Sequence, residues 1–253
     1  VDGDGDGETP PKSERAEAYE EALKVIESRG LIYPCFCTRK ELRGLAGAPR
    51  VGDEGAPYPG LCRNLSSGER EKKTAGGRRA STRLLCPAEA QWNFNDRLLG
   101  PQNMTLEQVG GDFALRRSDG VFAYQLAVVV DDLAAGVTTI VRGRDILAST
   151  PRQLYLISLL GGPKPEYAHL PLIVDHEGER LAKRHQSLGL GALREAGVRP
   201  QAVLGCLAGW SGLGEVISPI EAGELAQLEA ARLRSPEVAL PPDALKILLK
   251  HSR

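Results

Sequence analysis

Three of the five cysteines fall within a short stretch of the chain and could bind a metal ion. Cys35 and Cys37 are one residue apart, and Cys62 ends the motif YPGLC. Thiolates gathered around an irregular loop suit tetrahedral zinc, which would fold a segment too polar to have its own core. The alternative is that these cysteines are small buried hydrophobic residues. The C-x-C spacing is less specific than C-x-x-C, and spacing alone reveals no fourth ligand.

A second candidate is the cationic segment HEGERLAKRHQSLGL, which begins at His176. Arg180, Lys183, Arg184 and a protonated His185 carry positive charge, and no acidic residue lies among them. The segment follows a strand and a turn and precedes a helix. Ammonium and guanidinium groups on such a loop can hold a polyphosphate and stabilise charge on phosphoryl oxygens. The alternative is a solvated basic turn.

A third candidate is Arg142, which directly follows an apolar run and precedes a glycine. An arginine at the carboxyl edge of a parallel sheet can bind a carboxylate through two hydrogen bonds. It could instead form a structural ion pair with an acidic neighbour, either Asp145 or the pair Asp131 and Asp132. Tyr124 could direct its hydroxyl into the same cleft or only pack. His169 could face a ligand or cap a strand.

Composition is that of an ordinary globular protein. The 253 residues have a formal net charge of −1, with 42% hydrophobic and 26% charged residues. Any nucleic-acid contact must therefore be a local patch rather than a global field. With no bilayer-spanning apolar run and no signal peptide, we expect a cytoplasmic protein. The odd cysteine number argues against a disulfide scaffold, and we expect Cys86 and Cys206 in the core.

The first part of the chain predicts helices around an irregular insertion. An apolar stripe predicts a helix from an N-cap at Ser13 to Gly30. Thr38 and Glu41 form a capping-box pattern that begins another helix. Residues 46–77 are rich in Gly, Pro and charge, which indicates irregular structure. The stripe consists of Ala16, Tyr19, Leu23 and Ile26.

The second part predicts an α/β arrangement. The run LAVVV (126–130) reads as a buried parallel strand, and VTTIV (137–141) as another. Thr150, Pro151 and Gln153 predict a helix start, and this helix should end at Gly161. Ser118 to Gly120 predict a turn, and residues beyond 190 predict helices, one starting at Ser218. This order favours a doubly wound sheet.

Several long motifs, taken together, resemble one known family. They are YPCFCTRKEL, YPGLCR, GDFALRRSDGVFAYQLAVVVDD, VTTIVRGRDILASTPRQLYL and YAHLPLIVDHEGERLAKRHQSLGLGALREAG. They resemble the glutamyl-tRNA synthetase group of class I aminoacyl-tRNA synthetases, and more closely its short paralogues, the glutamyl-queuosine tRNA(Asp) synthetases. The resemblance extends from about residue 2 to about residue 210.

This resemblance implies a Rossmann-type catalytic domain that activates glutamate with ATP and Mg²⁺. RLAKR matches the KMSKS-type loop, with Lys183 as its second lysine and Arg180 and Arg184 beside the triphosphate. The chain departs from the family pattern at Arg180, where lysine is usual, and at Ala182, where serine is usual. Tyr124 and Arg142 match glutamate-binding positions. The paralogues' structural zinc site matches Cys35, Cys37, Tyr58 and Cys62.

The resemblance also implies the partner and the product. The paralogues attach glutamate to queuosine in the anticodon of tRNA(Asp), and lack the anticodon-binding domain for which this chain has too few residues. Val1 lies past the family's HIGH-type segment, so we expect a polypeptide of the printed residues alone to be truncated and inactive in ATP–pyrophosphate exchange. The alternatives are a catalytic fragment of a glutamyl-tRNA synthetase and a non-catalytic, zinc-stabilised tRNA-binding remnant.

The expected organisation has four parts and a monomeric state. Residues 1–33 should be the helical part of the Rossmann-type domain, and 34–77 the zinc-binding insertion. Residues 78–165 should form the second half of the Rossmann-type domain, and 166–253 the KMSKS-type loop and a helical tRNA-contacting region. The predicted fold class is therefore α/β, incomplete at the N-terminus.

Overall fold

A computed structural model describes residues 15–38, 40–42, 58–87, 89–181, 188–214, 218–228, 233 and 237–252. The chain divides into two compact units. The first comprises residues 1–95, 101–140 and 145–166, and the second residues 96–100, 141–144 and 167–253. None of the described helices has both the length and the apolar character needed to cross a membrane.

The helices and strands follow one another along the chain as follows: α1 (Ala16–Glu27), β1 (Ile32–Cys35), α2 (Ser67–Ala75), β2 (Ser81–Leu84), β3 (Gln91–Asp96), β4 (Gly100–Thr105), β5 (Phe113–Arg116), α3 (Tyr124–Ala134), β6 (Thr139–Gly143), a 3-10 helix (Arg144–Ser149), α4 (Thr150–Leu160), β7 (Glu166–Leu170), β8 (Leu172–Val174), α5 (Leu190–Glu195), α6 (Pro200–Trp210), α7 (Ala222–Leu225), β9 (Glu237–Ala239) and α8 (Ala244–Lys250).

The first unit is built on an antiparallel sheet in the order β1–β2–β5. Leu84 pairs with both Ile32 and Phe113, and it is fully buried. Apolar faces of α1, α3 and α4 contribute to the same core, which includes Ile26 and Leu126. The stripe predicted for α1 is confirmed at Tyr19, Leu23 and Ile26. Burying such a stripe against a sheet removes apolar surface from water and stabilises the unit.

The second unit combines short strands with a helical cluster. Strands β8 and β9 pair in parallel, and Ile173 lies opposite Val238. Helices α5, α6 and α8 share a core that includes Leu193, Cys206 and Leu248. A four-stranded sheet has the order β4–β3–β7–β6, and within the second unit Asp96 of β3 pairs in parallel with Tyr167 of β7.

The prediction of a strand at LAVVV is wrong. These residues lie in helix α3, and its buried positions include Leu126, Ala127 and Val129. A short apolar run is compatible with a buried helix as well as a buried strand, and β-branched residues fit a helix whose inner face is packed. The other run, VTTIV, does contain a strand, β6.

Other predicted boundaries are partly confirmed. The hydrogen bonds of the Thr38–Glu41 capping box form, and α4 ends at Gly161 in the left-handed conformation that favours glycine. Thr150 is inside α4 rather than its cap, and the capping box of α7 begins at Glu221 rather than at Ser218. The turn at Ser118 to Gly120 is confirmed.

Within the range predicted to be irregular, the structure contains helix α2. Ser66 and Glu69 form a complete capping box at its start, which is the local signal that the prediction missed. Ser13 and residues 43–57 lie outside the described residues.

A tight contact in the second unit predicts a stability effect. A Cβ atom on Gly205 of α6 would meet the backbone oxygen of Ser218 at 1.7 Å, and backbone cannot rotate away. We expect Gly205→Ala to destabilise the protein by about 1–3 kcal/mol, measured by urea denaturation.

Gly191→Ala is the matched control, because a Cβ there meets nothing within 4 Å and Gly191 lies within α5. Alanine should leave stability unchanged or raise it by about 0.5–1 kcal/mol. Equal effects of the two substitutions would contradict the packing described for Gly205.

Candidate functional site

The three candidate cysteines come together in the first unit. The Sγ atoms of Cys35, Cys37 and Cys62 all lie within 4.8 Å of one another, and those of Cys37 and Cys62 are 3.6 Å apart. Two thiolates on one tetrahedral zinc ion, each about 2.3 Å from it, would be roughly 3.8 Å apart. The cluster is therefore close to the size that a bound metal ion requires, and it could hold one.

Tyr58 completes the group that the sequence analysis named. Its hydroxyl lies 3.4 Å from Sγ of Cys35 and accepts a hydrogen bond of 2.7 Å from the backbone nitrogen of Cys62. A zinc-bound phenolate oxygen would lie roughly 3.5 Å from a thiolate on the same ion. Tyr58 is buried, so this oxygen is available to the cluster and not to bulk solvent.

Electrostatics show why the cluster suits a cation. Burial and the charge of Cys35 raise the pKa of Cys37 to about 12. Burial also opposes ionisation of Cys35, but the hydrogen bonds with Tyr58 and the backbone of Cys37, together with the charge of Arg83, outweigh it and lower the pKa of Cys35. Burial and the bond to Cys35 raise the pKa of Tyr58. Without a cation the site thus favours one thiolate, whereas a divalent ion would let several ligands ionise together.

The buried carboxylate of Asp112 anchors the residues beside the cluster. Arg63, which follows Cys62, binds both oxygens of Asp112 at 2.7 and 3.0 Å. The hydroxyl of Tyr33, on the strand that ends at Cys35, donates to the same carboxylate, as does the backbone nitrogen of Cys86 at 2.8 Å. The Asp112 carboxylate therefore joins both parts of the cluster, the strand that ends at Cys35 and the segment of Cys62, to the sheet. No local pattern in the sequence marks Asp112 for this role.

Arg83 adds a positive charge beside the cluster. Its guanidinium lies 3.9 Å above the centre of the Tyr58 ring and donates to the backbone oxygen of Asp112 at 2.9 Å. Such a contact orients the phenol and favours negative charge on nearby thiols. Cys86 and Cys206 are buried, as predicted, and neither belongs to the thiol cluster.

Arg142 lies in β6, in the second unit, and contacts a buried histidine. Its Nε donates to Nε2 of His169 at 3.0 Å, and Nδ1 of His169 lies 2.6 Å from Oδ2 of Asp96. His169 is within β7 and fully buried, so neither role predicted for it, facing a ligand or capping a strand, is confirmed. Asp131, one suggested partner of Arg142, instead binds Arg15 and Tyr19.

Asp96 is a second residue that the sequence analysis missed. It ends strand β3, and its Oδ1 accepts the backbone N–H groups of Leu98 and Leu99 at 3.0 and 2.9 Å. Burial opposes its ionisation, but hydrogen bonds from His169 and from these amides outweigh that effect and lower the pKa of Asp96. The only local signal was an acidic residue closing a strand of alternating polarity, which also occurs at many surface turns.

The remaining predicted residues are Tyr124 and the cations of the RLAKR segment. Tyr124 is half exposed in the first turn of α3, in the first unit. Arg180 is exposed in the second unit, in an isolated antiparallel bridge with Val174. Lys183 and Arg184, with His185, lie outside the described residues.

Comparison with known proteins gives consistent matches. Residues 4–233 match the family model of tRNA synthetases class I (E and Q), catalytic domain. The chain is 52% identical over 240 residues to a glutamyl-Q tRNA(Asp) synthetase of Nitratidesulfovibrio vulgaris, covering 94% of this chain and 74% of that protein. It is 43% identical over 239 residues to the glutamyl-Q tRNA(Asp) synthetase of Symbiobacterium thermophilum, covering 94% and 73%.

Two further similar proteins are named as a glutamate–tRNA ligase and a glutamate-tRNA synthetase, and the second is also more distant in sequence. A glutamate–tRNA ligase 2 of Alkalilimnicola ehrlichii is 42% identical over 218 residues, covering 85% of this chain and 46% of that protein. The solved glutamate-tRNA synthetase of Elizabethkingia anophelis superposes with a TM-score of 0.73 at 23% identity, over 95% of this chain. The chain spans 54% of that structure, and the likeness shows a class I synthetase fold.

The Asp112 anchor predicts a large stability effect. In Asp112→Asn, an amide N–H group would replace a carboxylate oxygen that now accepts hydrogen bonds, among them those from Arg63 and Tyr33. A donor would then face other donors. We expect a loss of about 2–3 kcal/mol in the free energy of unfolding, measured by urea denaturation.

Asp119→Asn provides the matched control. Asp119 pairs with Arg117, and both side chains are exposed, so removing the charge should cost less than about 1 kcal/mol. A loss at Asp119 as large as that at Asp112 would show that the buried hydrogen bonds of Asp112 add no more stability than an exposed ion pair.

Proposed function

The chain belongs to the class I tRNA synthetase family for glutamate and glutamine, and we propose that it activates glutamate with ATP and transfers it to queuosine in tRNA(Asp). The observation that carries this proposal is the 52% identity, over 94% of the chain, to a protein named glutamyl-Q tRNA(Asp) synthetase. Membership of this ligase family supports the reaction type, and the more similar relatives favour the queuosine-directed reaction over charging of a tRNA 3′ end.

Arg142 would recognise the substrate. A guanidinium presents N–H groups in a planar fork that matches a carboxylate. We assign to Arg142 the side-chain carboxylate of glutamate, since it is the arginine that the family resemblance places at this position. The family resemblance also assigns glutamate binding to Tyr124, which is half exposed at the start of α3.

Arg180, Lys183 and Arg184 would hold ATP, with Mg²⁺ bound to its phosphates. The α-carboxylate of glutamate attacks the α-phosphorus, forming glutamyl-adenylate and releasing pyrophosphate. Negative charge builds on the phosphoryl oxygens in this step, and fixed cations stabilise it. Arginine at position 180, where the family usually has lysine, keeps the charge but not the compact ammonium geometry.

In the second step a hydroxyl of the queuosine cyclopentenediol attacks the carbonyl carbon of glutamyl-adenylate. An ester bond forms, the bond to AMP breaks, and the hydroxyl proton leaves with AMP or solvent. The reaction needs little acid–base assistance if the enzyme holds the hydroxyl and the activated ester in contact.

The proposed activity has a direct test. The protein encoded by the complete gene is incubated with ATP and radiolabelled glutamate, and with each of three RNAs. We expect label on tRNA(Asp) that contains queuosine, and none on tRNA(Asp) from cells that cannot make queuosine or on tRNA(Glu). Because the first two RNAs differ only in the modified base, the comparison isolates the acceptor. Label on tRNA(Glu) alone would favour the second candidate, a glutamate–tRNA ligase, which the similarity to such a ligase supports.

We further propose that the thiol cluster binds a structural Zn²⁺ ion through Cys35, Cys37, Tyr58 and Cys62. The sulfur separations and the position of the Tyr58 hydroxyl support a closed four-ligand site. Three thiolates favour a soft ion such as zinc over magnesium or calcium. Bound zinc would stabilise the segment by adding metal–ligand bonds to its small apolar cluster, which includes Phe36 and Leu65.

Metal analysis tests this assignment. The purified protein should contain about one zinc ion per chain, and a strong chelator should lower its melting temperature. Cys62→Ser and Tyr58→Phe should both reduce zinc content, the first more strongly because it removes a thiolate.

Cys206→Ala is the control, since Cys206 is equally buried but lies in the core of the second unit. Its zinc content should match that of the unaltered protein. Full zinc occupancy in Cys62→Ser would exclude the proposed ligand set.

A further inference from the structure

Three strands bring Asp96, His169 and Arg142 into one line of hydrogen bonds. The order β3–β7–β6 places β7, with His169, between the strands that carry Asp96 and Arg142. The side chains of Asp96 and His169 are both 0% exposed. Both backbone and ring nitrogens of His169 contact the Asp96 carboxylate, at 3.2 and 2.6 Å. Asp96 therefore holds the histidine in position independently of its contact with Arg142.

The hydrogen-bond partners determine the state of the imidazole. The Nε of Arg142 can only donate, so Nε2 of His169 must accept and carries no proton. The proton is then on Nδ1, where it is donated to the carboxylate of Asp96. His169 is thus a neutral imidazole whose tautomer is set by Asp96.

A contact with the ring of Tyr167 restricts the orientation of the Arg142 guanidinium further. The central carbon of the Arg142 guanidinium lies 5.3 Å from the centre of the Tyr167 ring. Tyr167 and His169 are two residues apart on β7 and so project from the same face, where their rings stack with centres 5.9 Å apart. Arg142 is therefore held at its Nε by the imidazole and packed against an aromatic ring.

We propose that Asp96 and His169 are positioning residues that fix the guanidinium plane of Arg142 for the side-chain carboxylate of the substrate. The inference rests on the proposed function, in which Arg142 binds glutamate. The bond from Nε to His169 sets the plane of the guanidinium, and with it the direction in which a carboxylate can approach. A preoriented arginine loses less side-chain freedom when it binds a carboxylate, so affinity for the substrate is higher than for a mobile arginine.

The test uses two changes at His169 that separate its two contacts. In His169→Asn the side-chain amide can still donate to Asp96 but does not reach Arg142. In His169→Gln the longer side chain places its oxygen near the position of Nε2, where it can accept from Arg142. We expect the Asn variant to bind glutamate about tenfold more weakly, and the Gln variant to bind within about threefold of the unaltered protein.

Asp96→Asn tests the role of the tautomer without changing side-chain shape. Its oxygen can still accept from Leu98 and Leu99, while its amide nitrogen faces Nδ1 of His169 and donates to it. The imidazole proton then moves to Nε2, where it faces the Nε–H group of Arg142, so the hydrogen bond between the two residues is lost. We expect an affinity loss of about tenfold, as in His169→Asn. The ¹⁵N spectrum should show His169 protonated on Nδ1 in the unaltered protein and on Nε2 in the variant.

Asp131→Asn is the matched control, because it also removes a carboxylate that binds an arginine and a tyrosine, Arg15 and Tyr19. It should leave glutamate affinity unchanged. Glutamate affinity is measured by calorimetry on the protein encoded by the complete gene, with the KM for ATP, expected to be unchanged, as a second readout.

Arg142→Lys separates failure of this inference from failure of the proposed function. If that substitution weakens glutamate binding while Asp96→Asn and His169→Asn do not, Arg142 binds substrate and the positioning role is wrong. If all three leave binding unchanged, the glutamate site itself is misassigned, and both proposals fall. Equal losses in His169→Asn and His169→Gln would also overturn the positioning role, since they would show general disruption.

Discussion

The carboxylate of Asp112 holds together the part of the first unit that carries the thiol cluster. Around Cys62 a small apolar cluster forms, with Phe36, Tyr58 and the partly buried Leu65 among its members. The position of the segment also depends on polar bonds and on any bound metal ion. Asp112 accepts hydrogen bonds from Tyr33, two residues before Cys35, from Arg63, directly after Cys62, and from the backbone of Cys86. A buried carboxylate costs free energy unless its oxygens are bonded, and here each accepts more than one bond.

The second unit also has a buried carboxylate that links separate elements, but a different group depends on it. Asp96 ends a strand, accepts two backbone amides from the turn that follows, and binds His169 of the neighbouring strand. Both carboxylates therefore act as centres that join the end of one element to the side chain of another. In the first unit the joined side chains support the thiol cluster, whereas in the second they lead to Arg142.

Sequence reasoning succeeded where a signal is local. The stripe of α1, the glycine that ends α4 and the capping box at Thr38 each lie within one or two turns of chain, and each is confirmed. It failed at LAVVV, because a five-residue apolar run has no periodicity that distinguishes helix from strand. The metal candidates were found because cysteine is uncommon and its chemistry is specific.

The two buried carboxylates could not have been predicted in this way. Tyr33 and Asp112 are 79 residues apart, and Asp96 and His169 are 73 residues apart. Nothing near either aspartate differs from the many acidic residues that close a turn at a protein surface. Burial decides their role, and burial of a strand end is a property of the assembled sheet that short-range sequence patterns do not contain.

The use of a histidine between Asp96 and Arg142 has a physical reason. A carboxylate bonded directly to a guanidinium orients it but also cancels its charge, and so competes with an acidic substrate for the same donors. A neutral imidazole transmits orientation through its two nitrogens while adding no net charge next to the arginine. The charge of Asp96 stays one ring away, where it fixes the imidazole tautomer. The arrangement thus keeps Arg142 both oriented and positively charged, which are the two properties that recognition of a carboxylate requires.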